Sequence, residues 1–163
     1  MVAPRVTPQQ AWDEFISGNE RFVSGVSKHP NQDVERRTEL ANTQTPNVAL
    51  FGCSDSRLAA EIIFDCGLGD LFIARNMGHV VAESITASME YAVSELGSAL
   101  IVVLAHDSCG AVAAAIDQSS RNPSPVTPSV GNTLDPIRPA VQHLWHRDHH
   151  TTPYVEASLL DAN

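Results

Sequence analysis

Two segments hold side chains that could do chemistry together. Residues 51–63 read FGCSDSRLAAEII and carry Cys53, Asp55 and Arg57; residues 104–116 read LAHDSCGAVAAAI and carry His106 and Cys109. Two thiolates and an imidazole are a donor set that suits zinc. Three protein ligands leave a fourth position for water or another ligand, the pattern of catalytic rather than structural zinc sites. Asp55 admits two roles. It could close the site as a fourth ligand, or it could pair with Arg57 and leave that position to water. The bland alternative is a packed Cys53, a capping His106, an inert Cys109 and a surface Asp55–Arg57 pair worth only about 0–1 kcal/mol. Either spacing alone, C-x-D-x-R or H-x-x-C, is a weak signal. Their pairing favours the metal reading, provided the fold brings them together.

The elements that must do so are legible as apolar runs. VALFGC, LFIARN and ALIVVLAH are short and nearly continuous, as expected for strands buried on both faces. Helical patterns lie between them: Leu58–Phe64, then Ser84–Leu96 closed by Gly97, and a third from Cys109 to about Gln118. Strand and helix alternate, which predicts an α/β fold with a central, mainly parallel sheet and crossover helices. In such sheets ligands gather beyond the carboxyl ends of the strands. Cys53 ends the first predicted strand and His106 ends the third. Cys109 opens a helix, whose positive end favours thiolate over thiol.

The flanks are less informative. TPQQAWDEFISGNERFV begins with Thr7 as a cap, Pro8 at the first helical position and Gln10 as a capping-box partner. Trp12, Phe15, Ile16, Phe22 and Val23 form an apolar stripe, to be packed on the chain's own core or on a neighbouring subunit. Residues 28–47 are polar, with a short helix expected over Val34–Ala41. Residues 119–139, SSRNPSPVTPSVGNTLDPIRP, are rich in Pro and Ser and read as loop, and a short helix is expected over Arg138–Trp145. The expected organisation is one domain over residues 1–163: an N-terminal helical arm (1–27), an α/β core with the metal site (28–118) and an atypical C-terminal segment (119–163).

Composition excludes several classes of partner. A net charge of −9 argues against nucleic acid. The longest apolar run, Ala99–Ala105, is too short to span a bilayer, so no membrane partner is expected. The opening residues MVAPRVTPQQAWDEF hold no apolar core of a signal peptide, and a cytoplasmic location is the expectation. Three cysteines do not suggest a disulfide framework. GLGD at residues 67–70 is too short and misplaced for a nucleotide fingerprint. Cys66 reads as a packed thiol. His143, His146, His149 and His150 read as a solvated histidine-rich tail.

CSDSR and HDSCGA, separated by GLGDLFIARNMGHVV and SMEYAV, resemble the β-class carbonic anhydrases in order and spacing over roughly Trp12 to Ile116. The resemblance implies zinc held by Cys53, His106 and Cys109, with Asp55 joining only in a closed state, and an Asp55–Arg57 catalytic dyad. It implies reversible hydration of CO2 to bicarbonate and a proton through zinc-bound hydroxide. It further implies substrate contacts from Gln44, Phe72, Met77, Tyr91 and the Gly110 amide. The family's pocket straddles a dimer interface, so self-association as a dimer or higher oligomer follows. After about residue 120 the pattern departs from the family, and no counterpart of its C-terminal strand is found. His79 is a candidate proton carrier but reads better as a structural loop residue. Two other activities share these motifs: hydrolysis of carbon disulfide or carbonyl sulfide on the same scaffold, and zinc binding without catalysis.

Overall fold

The computed structural model describes residues 2–147, with side chains through residue 142. The His143–His150 histidine-rich stretch therefore falls outside the described side chains. Helix α1 spans Pro8–Val23, α2 Val34–Glu39, β1 Val48–Cys53, α3 Ala60–Ile63 and β2 Leu71–Asn76. A 3-10 turn, Met77–His79, leads to α4 (Glu83–Ser94) and β3 (Leu100–Leu104). Helices α5 (Gly110–Gln118), α6 (Pro128–Leu134) and α7 (Arg138–Arg147) follow.

The strands form one sheet in the order β2-β1-β3. Backbone bonds at its two ends show that they run in parallel. The Ala99 amide donates to Asn47 O (2.9 Å) where β1 and β3 begin, and the Ser54 amide donates to Asn76 O (2.8 Å) where β1 and β2 end. The carboxyl ends of all three strands therefore share one edge of the sheet, as the alternating pattern predicted. Among the described residues no strand follows β3.

Only β1, the central strand, is buried along its whole length. The expectation that all three strands are covered on both faces is corrected by the other two. Strand β2 is half-buried throughout, and β3 alternates, with Ile101 and Val103 each 45% exposed. An apolar run marks a strand, but its own residues do not reveal whether both faces find cover.

Contacts cluster into two units. The first holds α1 to α4 and the amino-terminal parts of the strands. In it, Thr7 and Gln10 form the predicted capping box and start α1. The buried stripe Ala11, Phe15, Gly18 faces α3, and Phe15 stacks on Phe64 with ring centroids 3.6 Å apart. Gly18 is required there, because a Cβ would stand 1.9 Å from the carbonyl oxygen of Phe64. One face of the N-terminal helix thus packs on its own chain, while Trp12, Phe22 and Val23 remain exposed. Asp65 fastens the chain after that helix. It accepts from Arg21 Nε (2.6 Å), from the Lys28 amide (3.0 and 2.9 Å) and from the His29 amide (2.9 Å).

The second unit holds residues 52–55, 75–81 and 103 onward. Helix α5 packs there against α6, α7 and the 3-10 turn. Helix α6 corrects the reading of 119–139 as loop. Thr127 caps it by accepting from the Val130 amide, with Pro128 at its first position, the same Thr-Pro start that marks α1. The weak apolar content of PSVGNTL hid it.

Candidate metal centre

Cys53 is the last residue of β1, and its burial follows from that strand's central place. Beyond β3 the chain turns through His106–Ser108, with Ser108 in the left-handed region (φ 53°), and enters α5 with Cys109 as its N-cap. Strand end and helix start thus converge from β1 and β3, which are neighbours in the sheet. Cys53 Sγ, a ring nitrogen of His106 and Cys109 Sγ all lie within 4.8 Å of one another. Both cysteines are buried and His106 is half-buried. All three belong to the second unit.

The donor set fits a metal ion. A tetrahedral centre with bonds of about 2.0–2.3 Å sets neighbouring donors about 3.4–3.8 Å apart, within the observed bound. Burial pushes the Cys109 thiol above its ordinary range, the amides of Val112 and Ala111 pull it down, and Cys53 beside it pushes it up again. The helix start therefore does act on this thiol as predicted, but desolvation outweighs it. A bound cation is the partner that reverses the balance, since a coordinating thiol is deprotonated outright.

The other predicted residues are distributed as follows. Asp55 is half-buried two residues past β1, and Arg57 is exposed in the ensuing turn. Met77 is half-buried in the 3-10 turn, where His79 is buried. Gly110 is exposed at the start of α5 and faces open space. Phe72 on β2 is half-buried, its ring centroid 6.1 Å from that of Tyr91 on α4. Tyr91 and Gln44 line one cavity of about 720 Å³ in the first unit, together with Arg37 and Glu95. None of the three clustered donors lines it. Cys66 is a packed thiol as predicted. It donates to Phe64 O (3.2 Å), and burial, with Asp70, Glu14 and Asp65 nearby, pushes its pKa up to about 12.

One residue at the centre was not foreseen. Arg75 donates from Nε to the carbonyl oxygen of Cys53 (2.7 Å) and from Nη2 to that of Asp55. A signal was present, because an arginine inside the strand ends the apolar run Leu71–Ala74, and a half-buried guanidinium needs acceptors.

A family model described as carbonic anhydrase matches residues 48–162. The chain belongs to the β-carbonic anhydrase family. Carbonic anhydrase 2 of Mycobacterium tuberculosis is 55% identical over 113 residues, which cover 69% of this chain and 55% of that protein. A β-carbonic anhydrase of Aspergillus fumigatus is similar in structure with a TM-score of 0.66 at 27% identity, over 93% of this chain and 69% of that one. A β-carbonic anhydrase of Sordaria macrospora, one of two described as tetrameric, matches with a TM-score of 0.66 at 23% identity, over 93% of this chain and 77% of that one. That likeness speaks for the β-carbonic anhydrase fold alone. The chain spans about half the length of the curated relatives it matches.

Proposed function

We propose that this chain is a zinc-dependent carbonic anhydrase that interconverts CO2 and bicarbonate. The observation that carries the reading is the gathering of two sulfurs and an imidazole nitrogen within 4.8 Å, in a chain of the β-carbonic anhydrase family. Cys53, His106 and Cys109 would hold the ion. When bound, zinc supplies Lewis-acid activation of water, whose pKa falls from 15.7 to about 7 in carbonic anhydrases with neutral histidine ligands. The two thiolates cancel the ion's formal charge and weaken that effect, so activity rises on the alkaline side of neutrality.

The chain's own groups then orient the reactants. Arg57 holds the Asp55 carboxylate, which accepts a hydrogen bond from the attacking water and fixes its lone pair. The Gly110 amide, at the exposed start of α5, donates to a substrate oxygen. Gln44 donates to bicarbonate, and Phe72, Met77 and Tyr91 keep bulk water out. Gln44 and Tyr91 line one cavity of the first unit, and some of these substrate contacts come from a second copy, since the pocket of the family straddles a dimer interface. The functional form is accordingly a dimer or larger. A reducing compartment such as the cytoplasm suits a site built on two thiolates.

The deciding experiment is stopped-flow CO2 hydration with zinc quantified on the same sample. Turnover proportional to zinc content, abolished by a chelator and restored by zinc, is the expected result. Zinc bound in full with no CO2 turnover would leave a binding protein or, if carbon disulfide or carbonyl sulfide is consumed instead, a hydrolase.

A further inference from the structure

The segment Arg75–Val81 touches both halves of the metal centre. On one side are the two bonds from Arg75 to the carbonyl oxygens of Cys53 and Asp55. These carbonyls flank Ser54, whose amide donates to Asn76 O (2.8 Å). Three bonds from two consecutive residues thus fix the backbone on which Cys53 and Asp55 stand. The Asn76 side chain then closes a loop on Val80, donating from Nδ2 to its carbonyl oxygen (2.7 Å) and accepting from its amide at Oδ1 (2.8 Å). Inside that loop is Gly78, at φ 73°. A Cβ on Gly78 would stand 2.8 Å from the Cβ of Ala111 and 2.8 Å from Cδ1 of Ile137. The turn therefore lies directly against the first turn of α5, the helix that Cys109 caps.

We propose that Arg75 is a positioning residue for the metal centre: its fork sets the Cys53–Asp55 backbone, and the turn that follows seats the helix start bearing Cys109. The side-chain type is part of the argument. A guanidinium presents donors in a rigid planar fork and can serve two carbonyls at once, whereas the single ammonium of lysine does not match that fork. The effect on Cys53 rests only on metal binding. The effect on Asp55 rests on the proposed CO2 hydration.

The test compares R75K and R75M with the parent protein, each loaded with zinc and, separately, with cobalt(II). The readouts are metal per chain, the rate of metal release to a chelator, the visible spectrum of the cobalt form, thermal stability, and kcat and KM for CO2. Expected are chains that still take up metal, release it about 10–100-fold faster, and show shifted cobalt bands, with R75K between parent and R75M. The fall in activity is expected in kcat rather than KM. Parent-like release rates and cobalt bands in both variants, with only a lowered melting temperature, would overturn the proposal and leave Arg75 a structural residue. Should R75M fail to fold, R75K and, independently, G78A carry the same readouts, G78A acting from the α5 side. A parent protein that binds metal but does not hydrate CO2 would sink the proposed activity, while the release and spectral comparisons would still decide the role of Arg75.

Discussion

Cys66 and the pair Cys53–Cys109 show how differently one fold treats the same functional group. The pair is gathered around a single point with an imidazole. Cys66 is held among apolar and acidic neighbours that raise its pKa to about 12. At pH 8 only about one molecule in ten thousand would carry it as thiolate. Native protein exposed to iodoacetamide at that pH should therefore leave Cys66 unalkylated, and mass spectrometry should find it modified only after unfolding. For the centre itself, C109S is expected to weaken metal retention by more than about 100-fold, since losing a ligand outweighs losing a group that orients one. D55N should behave differently, keeping its metal in a chelator competition while CO2 hydration falls about 10–100-fold. The three clustered candidate donors were readable in the sequence because each carries its chemistry in its own side chain, at a strand end or a helix start. Arg75 was not, because its targets are backbone carbonyls, which every residue possesses and no letter of the sequence marks.

The contact between α1 and the end of α3 is made of few groups, and each is testable. In G18A the new methyl meets the backbone of Phe64, which cannot rotate away, so denaturant unfolding should show a loss of about 1–3 kcal/mol. Asp65 contributes through its charge. The Lys28 amide is the largest cause of its lowered pKa, burial opposes it, and Arg21 and the His29 amide add to the lowering, leaving it near about 2 against 3.8. A carboxyl depressed in the folded state stabilises above its unfolded pKa, and that contribution is lost as pH falls from about 4 to 2. Unfolding should take up close to one proton across that window, measurable from the slope of stability against pH, and D65N should flatten the slope. Element existence was legible wherever caps and apolar periodicity agreed, as at Thr7-Pro8. At Thr127-Pro128 the cap was equally clear but the apolar half of the signal was missing. Cover over β2 and β3 depends on residues distant in sequence, so the run of letters in a strand could not report it.

At the level of the whole molecule, the outer side of α1 presents Trp12 (43% exposed) and Phe22 (41% exposed), beyond the stripe that the helix spends on its own chain. If a second copy covers them, sedimentation velocity should show a dimer or larger species, and W12E with F22E should shift it to a smaller one while leaving the metal content unchanged. Strand β3 has a single neighbour among the described residues, and Ile101 and Val103 lie partly in the open. A solitary margin of that kind is a template for stray strands from other molecules. Warmed protein will then clump before it can refold, so calorimetric scans will drift with heating rate and a second scan of the same sample will be blank. Resistance to heat in this chain is to be quoted as a half-life at a stated temperature and dilution.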